Sequence, residues 1–150
     1  MSAIDLLKKD HQEVQQLFSE FMSVDAEDFA RREDVFQQID KALLIHSDAE
    51  EEIFYPSIEN HAPDLIKQAV SEHQEVRELL AEMLDLEVDD EGFNDRMATL
   101  MQKVETHVRE EEGPGGVLEI ARQKLNGREL DDIGRRIQQL KKDSEEELAA

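Results

Sequence analysis

Apolar side chains recur at alternating steps of three and four residues along four long stretches of the chain. Such spacing places them on one face of a helix, so it predicts four amphipathic helices. The helices are expected over about residues 3–23, 26–59, 63–87 and 90–112. Their apolar positions are Ile4, Leu7, Val14, Phe18 and Phe21 in the first, Phe36, Ile39, Leu43 and Ile53 in the second, Ile66, Ala69, Val76, Leu80 and Met83 in the third, and Phe93, Met97, Leu100 and Val104 in the fourth.

Short connections between these helices set the predicted fold. Because a short loop forces neighbouring helices to run in opposite directions, the sequence predicts an all-α, antiparallel up-down-up-down four-helix bundle. No stretch alternates strictly between apolar and polar residues as a half-buried β-strand does. Ser2 lies three residues before Asp5 and is the candidate N-cap of the first helix.

The chain continues beyond this bundle with the connection GPGG at residues 113–116. A short helix is expected over residues 117–125, and a further apolar face then predicts an additional C-terminal helical segment. That face consists of Leu130, Ile133, Ile137 and Leu140. The expected domain organisation is a bundle over residues 1–112, with residues 113–150 as a Gly-rich connection and helical extension packed on the same domain. Two interpretations of the extension stay open: packing on the bundle, or contact with a second copy or a protein partner.

Six polar residues occupy helix positions whose neighbours one turn away are apolar. They are His11, His46, Glu50, His73, His107 and Glu111. An internal repeat relates them: DHQEV from Asp10 aligns with EHQEV from Glu72 at an offset of 62 residues, and HSDAEE from His46 aligns with HVREEE from His107 at an offset of 61. Each half of the chain thus contributes one lone histidine and one His-x-x-x-Glu pair, and two facing hairpins would bring all six side chains together.

A metal site is the interpretation that accounts best for these six residues. His and Glu four residues apart lie on the same helix face, about 6 Å apart, so one cation can reach both. A buried carboxylate without a partner costs several kcal/mol, and a bound cation compensates for it. Four imidazole nitrogens and two bridging carboxylates give about four bonds to each of two metals, leaving positions for a small ligand. Nitrogen and oxygen donors suit Fe, Mn or Zn. A purely structural His–Glu network is the alternative.

Composition excludes several other kinds of function. The chain has 150 residues, with 17 Lys and Arg against 38 Asp and Glu, and a formal net charge of −21. A surface this acidic repels polyanions. We therefore expect neither nucleic acid nor an anionic membrane as a partner. The absence of cysteine excludes disulfides, thiolate nucleophiles and Cys-based zinc sites. No apolar run approaches the roughly 18 residues that cross a bilayer, and no secretory signal pattern begins the chain, so a cytoplasmic location is expected.

The order of the six residues resembles the hemerythrin family, specifically the hemerythrin-like HHE cation-binding domain. The resemblance covers about residues 3–112 and includes the run HSDAEEEIFYP from His46. It implies a non-heme di-iron centre inside a four-helix bundle, bridged by an oxo or hydroxo group. Carried over by position, the terminal ligands are His11, His46, His73 and His107, and the bridging carboxylates are Glu50 and Glu111.

One departure from the family pattern lies on the third helix. Oxygen-carrying hemerythrins have a fifth histidine one turn after the third-helix histidine, where this chain has Arg77, so the resemblance does not extend to reversible oxygen carriage. The remaining histidine, His61, lies 15 residues beyond His46, about 22 Å along a straight helix. We expect His61 to cap the loop near Pro63 rather than to bind metal.

Three further residues lie beside the proposed ligands in the sequence. Glu51 and Glu112 follow the two bridging carboxylates, and we expect them to be solvated rather than coordinating. Tyr55 has two open interpretations, namely a hydrogen bond to an oxygen bound at the metal, or ordinary packing near the helix end.

Three classes of function follow from this pattern. The first is a di-iron protein that binds or senses dioxygen, nitric oxide, peroxide or iron. The second is a di-iron enzyme acting on peroxide or ferrous iron, and the third is a metal-free helical interaction protein. A ferritin-like oxidase would need Glu-x-x-His motifs, and no histidine here has a glutamate three residues before it. Hydrolytic and phosphate-binding motifs are also absent from the sequence.

Overall fold

Helices make up all the regular structure of residues 1–149, the part of the chain that the computed structural model describes. The predicted all-α class is therefore confirmed. Along the chain these elements are α1 (Ala3–Ser23), α2 (Phe29–Ala49), a π-helical segment (Glu50–Phe54), α3 (Tyr55–Ile58), a 3-10 turn (Glu59–His61), α4 (Pro63–Leu84), α5 (Glu91–Glu112), α6 (Val117–Lys124) and α7 (Gly127–Ala149). No helix within residues 1–149 combines the length and the apolar character that crossing a membrane requires.

Polar side chains explain where the first two long helices begin. Ser2 accepts a hydrogen bond from the backbone N–H of Asp5 at 3.3 Å, which confirms the predicted cap of α1. Asp28 accepts one from the backbone N–H of Arg31 at 3.2 Å and caps α2. Each bond satisfies one of the N–H groups that the first turn of a helix leaves without an intrahelical partner.

The single α-helix expected over residues 26–59 is wrong in detail. α2 ends at Ala49, and the chain widens into the π-helical segment, where the Tyr55 N–H reaches back to the carbonyl of Glu50. Pro56 follows directly. Because proline lacks an N–H and its ring collides with the carbonyl four residues earlier, a wider turn accommodates it better than a regular α-helix does.

The long helices pack as two hairpins. α1 packs against α2 and α4 against α5, and the hairpins meet where α1 contacts α5 and α2 contacts α4. Glu82 pairs with Arg96 at 3.2 Å, and Glu75 pairs with Lys103 at 3.0 Å. Residue numbers that fall along α4 rise along α5 in these pairs, so the two helices run in opposite directions.

Two clusters of apolar side chains lie on either side of a polar layer. One includes the first turns of α1 together with the π-helical segment, α6 and α7. The other includes the rest of α1, most of α2 and α5, and the second half of α4. On α1, α2 and α4 the buried histidine lies between residues of the two clusters. On α5, His107 follows Val104, the last buried apolar residue of that helix.

The C-terminal extension lies against the hairpins. α7 packs on α1, α2 and the π-helical segment, and it buries Leu130, Ile133 and Ile137. Gly134 permits this close approach, because a Cβ atom there would lie 2.6 Å from the carbonyl oxygen of Met1. The apolar face of α7 is thus covered by the rest of the chain.

Candidate metal centre

The structure brings the six polar residues named from the sequence into one buried cluster. They form two groups, and within each the potential ligand atoms lie within 4.8 Å of one another. The first group is His11, His46, Glu50 and Glu111, and the second is Glu50, His73 and His107. Glu50, at the first position of the π-helical segment, is fully buried and belongs to both.

Glu50 lies between one histidine from each half of the chain. Its Oε1 atom is 2.9 Å from His46 Nε2 and 3.1 Å from His73 Nε2. These separations are those of N–H···O hydrogen bonds, and they also fit two donor atoms that each lie about 2.1 Å from one metal.

Glu111 repeats this arrangement on α5. Its Oε1 atom lies 3.3 Å from His11 Nε2 and 3.4 Å from His107 Nε2. Its other oxygen, Oε2, accepts a hydrogen bond from the hydroxyl of Tyr55 at 2.5 Å. Tyr55 thus binds a proposed ligand directly, which favours a role in the site over ordinary packing.

His73 and His107 face each other through their Nε2 atoms, which are 3.1 Å apart. The Nδ1 atom of His73 donates to Glu51 at 2.8 Å, and that of His107 donates to Glu72 at 2.7 Å. With both Nδ1 protons in place, the two Nε2 lone pairs repel unless a proton or a metal cation lies between them. Burial alone would lower the pKa of His107, but hydrogen bonds to Glu111 and Glu50 and the charges of these two carboxylates outweigh burial and raise that pKa to about 12.

The other two histidines also donate from Nδ1 to acidic side chains. His46 donates to Asp10 at 2.8 Å and His11 donates to Glu112 at 2.5 Å. Carboxylates in this position fix the tautomer and direct Nε2 toward a metal. Glu51 and Glu112 keep the solvent access expected of them, with side chains 22% and 34% exposed, and each also accepts a hydrogen bond from a candidate ligand histidine.

The internal repeat organises these four contacts. Asp10 and Glu72, which precede the lone histidines, each bond the second histidine of their own half. Glu51 and Glu112, which follow the central glutamates, each bond the lone histidine of the other half. The roles of Asp10 and Glu72 were not predicted from the sequence, although their equivalent positions in the repeat point to them.

Two cationic side chains form ion pairs with two of these carboxylates. Arg77 donates to Glu51 at 2.5 Å, so the residue in place of the fifth histidine supports a carboxylate. Lys141, on α7, pairs with Asp10. Burial opposes ionisation of Asp10, but the hydrogen bond from His46 and the charges of His46 and Lys141 lower its pKa below the usual value.

Protons on His46 and His107 offset part of the negative charge within the metal-free cluster. Burial disfavours the charged forms of both His46 and Glu50. The charge of Glu50 and the hydrogen bond that His46 donates to Asp10 nevertheless raise the pKa of His46 to about 10. The charge of His46 and hydrogen bonds from three histidines hold the pKa of Glu50 well below its usual range. Binding of a metal cation would replace these protons.

Four buried polar atoms in the cluster lack hydrogen bonds of acceptable geometry. They are His11 Nε2, His46 Nε2, Glu50 Oε2 and Glu111 Oε1. A buried polar atom without a partner costs free energy. A cation satisfies nitrogen lone pairs and carboxylate oxygens together, so these residues fit a metal site.

His61 lies apart from this cluster. It is exposed in the 3-10 turn, and the expected cap is wrong because Ala62 occupies the N-cap position of α4 without a side-chain hydrogen bond. Pro63 begins α4, where its missing N–H costs no intrahelical hydrogen bond.

Two cavities meet at the cluster. A small one of about 20 Å³ touches all four histidines and is otherwise lined mainly by aliphatic side chains. A larger cleft of about 670 Å³ lies between α1 and α5 and reaches His11. Both cavities are lined by His11, Val14, Val104 and Val108, so these four side chains lie between the cleft and the small cavity.

Known proteins share the sequence pattern and the fold. Residues 2–114 match the family model described as the hemerythrin HHE cation binding domain. A DNA nickase from Nostoc sp. is 31% identical over 113 residues, which are 75% of this chain and 32% of that protein, so the chain spans about a third of this relative. A hemerythrin HHE cation binding domain-containing protein from Mycobacterium kansasii has the same fold, with a TM-score of 0.81 at 23% identity, covering 100% of this chain and 93% of that one.

The family match covers the part of the chain from which the resemblance was drawn, and it includes all six buried His and Glu residues of the cluster. The resemblance identified from the sequence is thereby confirmed. A buried group of histidines and glutamates in this setting indicates metal binding. The chain belongs to the hemerythrin HHE cation-binding domain family.

Proposed function

We propose that the buried cluster holds two metal ions and that the metal is iron. The observation that carries this proposal is the convergence of four buried imidazole Nε2 atoms on two buried carboxylates. The proposed ligands are His11, His46, His73 and His107, together with two carboxylates. Glu50 belongs to both groups, and Glu111 would be the second shared carboxylate because its Oε1 atom lies near both His11 and His107. Because the same donors suit Mn and Zn, the metal content of the purified protein distinguishes the three.

The function that this site supports best is binding or sensing of a small ligand. Bound iron would supply open coordination positions and one-electron chemistry. The protein's own part is to orient the imidazoles through their Nδ1 hydrogen bonds and to limit access of water through the valines between cleft and cluster. The 20 Å³ cavity holds about one water-sized molecule, so it favours the smallest ligands, such as dioxygen, nitric oxide or peroxide, over larger ones. Sensing of iron itself is the related possibility.

A di-iron enzyme acting on peroxide or ferrous iron is the second candidate. The cleft of about 670 Å³ favours it, because this cleft gives reactants a path from solvent to His11. Sustained consumption of peroxide or ferrous iron by the loaded protein would favour the enzyme. Stoichiometric binding with a single spectral change would favour the sensor.

Metal content and the ultraviolet-visible spectrum test the proposal together. Protein purified aerobically from iron-supplemented cells should contain about two irons per chain and absorb in the visible range. The double variant His73→Ala, His107→Ala should lose both the iron and the absorption. His61→Ala is the matched control, since His61 is exposed and apart from the cluster, and it should retain both.

The opposite result would leave the third class of function. A colourless, metal-free wild type as stable as the double variant would reject the di-iron proposal. The protein would then be a helical interaction module in which the His–Glu cluster serves the fold alone. Manganese or zinc at two per chain would retain the site but replace the metal.

The arrangement of the helices is part of the same proposal. We propose that the four long helices follow up-down-up-down order within residues 1–112, and that residues 113–150 form an extension on the same domain. The opposed numbering of the α4–α5 ion pairs supports the first statement. The burial of Leu130, Ile133 and Ile137 supports the second.

We further propose a cytoplasmic protein that does not bind nucleic acid. The net charge of −21 disfavours contact with phosphates, and the similarity to a DNA nickase concerns only 32% of that protein. Incubation with supercoiled plasmid at low salt should give neither a mobility shift nor relaxed DNA. Nicking by the wild type that is lost in the double histidine variant would overturn this part of the proposal.

A homodimer or a protein partner is proposed only for the outer face of α7. The apolar face of this helix already packs on α1 and α2, so a partner would meet charged side chains. Light scattering at several protein concentrations measures the mass in solution. A dimer that dissociates in high salt would support such a contact.

A further inference from the structure

A chain of three side chains connects the C-terminal helix to the metal centre. Lys141, on α7, pairs with Asp10 Oδ1. The other oxygen of this carboxylate, Oδ2, accepts the Nδ1–H of His46 at 2.8 Å. His46 Nε2 in turn points toward Glu50, at 2.9 Å from Oε1. Residues at opposite ends of the sequence thus meet within one hydrogen-bonded chain.

Asp10 is buried, so the loss of its contact with Lys141 would leave a carboxylate oxygen without a partner. Its side chain is only 9% exposed, the lowest value among the four carboxylates bonded to histidine Nδ1 atoms. A buried carboxylate needs a cationic or hydrogen-bonding partner at each oxygen, or it becomes unfavourable. With Lys141 on Oδ1 and His46 on Oδ2, both oxygens are satisfied and the carboxylate plane is held. Without Lys141, Oδ1 would need water as its partner. Rotation of the carboxylate toward water would then compete with the hydrogen bond from His46 to Oδ2.

Within residues 1–149, the other half of the internal repeat has no equivalent of the contact between Lys141 and Asp10. Glu72 is the counterpart of Asp10, and it bonds His107 at 2.7 Å. The neighbouring ionisable group beside Glu72 is another carboxylate, Glu110, rather than a lysine. Lys141 lies outside both the repeat and the family match over residues 2–114. The extension therefore supports the carboxylate of one half in a way that the repeat does not.

We infer that Lys141 is a positioning residue of the metal centre, acting through Asp10 on His46. This inference rests on the proposed metal function and assigns a specific task to the extension. α7 strengthens cation binding at the position served by His11 and His46, and leaves the position served by His73 and His107 largely unaffected. Docking of α7 and occupation of the first metal position thus favour each other.

The first test uses metal-free protein labelled with ¹⁵N-histidine. In the wild type, the Nδ1 proton of His46 should exchange slowly with water, because it is buried in a hydrogen bond to Asp10. In Lys141→Met, which keeps the length of the side chain and removes the charge, exchange should be about 10-fold faster. Lys141→Arg should restore slow exchange. Lys142→Met is the matched control, because Lys142 is exposed on the same helix, and it should behave as the wild type.

The second test is anaerobic titration with Fe²⁺ alone. Loss of support behind a metal-ligating histidine lowers affinity about 10-fold to 100-fold. Lys141→Met should weaken one of the two binding steps by about 10-fold and leave the other unchanged. In the Asp10→Asn background, the same lysine substitution should have little further effect, because the connection is already lost. A role limited to holding α7 in place would give the same loss in both backgrounds.

The outcomes separate this inference from the proposed function. Unchanged proton exchange in Lys141→Met would overturn the inference, as would unchanged Fe²⁺ affinity in a variant whose wild type binds two ions. A loss of affinity that persists in full in the Asp10→Asn background would also overturn it. A wild type that binds no Fe²⁺ would reject the metal proposal, and the exchange measurement would still decide whether Lys141 positions His46.

Discussion

Tyr55 donates a hydrogen bond from its hydroxyl group to Glu111 Oε2 at 2.5 Å, and both side chains are buried. Its ring stacks on that of His73, with centroids 5.7 Å apart. Burial and the two neighbouring carboxylates raise the pKa of Tyr55 above its usual value, so the hydroxyl stays protonated and donates. Tyr55 thereby occupies one oxygen of Glu111 and leaves the other directed at His11 and His107.

Tyr55→Phe should destabilise the metal-free protein by about 1–3 kcal/mol, because Glu111 Oε2 would stay buried without its donor. The loss should be smaller in the metal-loaded protein, where the freed oxygen can take a metal as its partner. Urea unfolding of both forms, monitored by circular dichroism, measures the difference. Equal losses in the two forms would argue against a role for Glu111 in metal binding.

Metal uptake should release protons. The pKa of His46 is raised to about 10 and that of His107 to about 12, whereas an unperturbed histidine has a pKa of 6.5. A metal needs the deprotonated Nε2 atom, so near neutral pH about two protons should leave as the site fills, and affinity should rise with pH. Calorimetric titration in two buffers of different ionisation enthalpy counts these protons. No release would mean that the histidines are already neutral.

The same shifts give the metal-free protein a pH-dependent stability of definite sign. Because the folded pKa of His46 and of His107 lies above the unfolded value, their contribution to the free energy of unfolding is complete below about pH 6.5. It should decline as pH rises toward 10. Urea unfolding at pH 6 and pH 9 tests this sign, with the double variant His73→Ala, His107→Ala expected to show a weaker dependence.

Val104→Phe should slow or weaken binding of small ligands without removing the metal. Val104 lines both the small cavity and the cleft, so a larger side chain there fills the passage to the histidines. Overpacking costs about 1–3 kcal/mol of stability. Stopped-flow mixing of the iron-loaded protein with azide or nitric oxide measures the rate, and Val70→Phe, at an exposed position on α4, is the control. Unchanged rates would place the entry route elsewhere.

Gly134→Ala should destabilise the protein even though alanine favours helix. A Cβ atom at this position would lie 2.6 Å from the carbonyl oxygen of Met1 and 3.2 Å from the N atom of Ala3. The propensity gain of about 1 kcal/mol is outweighed by the strain of displacing α7, about 1–3 kcal/mol. Gly127→Ala, with no atom within 4 Å of the added Cβ, should be neutral or stabilising. Thermal unfolding of the two variants side by side provides the comparison.

Periodicity alone was sufficient to predict the long helices, because a three-four pattern of apolar residues is a property of the chain itself. The ends of the helices were harder to predict. α2 was expected to run to residue 59, but it ends at Ala49 and the π-helical segment begins at Glu50. The sequence shows Pro56, but it does not show how the preceding turn changes its hydrogen bonds to admit a proline. The six polar residues were found because they interrupt those apolar faces in register, and the repeat showed that each half supplies the same set.

The sequence by itself therefore determined the helical class, the family, and which six side chains gather in the core. Only the tertiary structure decided how the remaining charged residues serve them. Nothing in the sequence distinguishes Glu51, Glu72 and Glu112 from the other acidic residues, of which the chain has 38 in all. Only the packing of the helices brings each of the three into contact with a histidine. Lys141 is 131 residues from Asp10. No local pattern can reveal such a pair, because it exists only where α7 folds back onto α1.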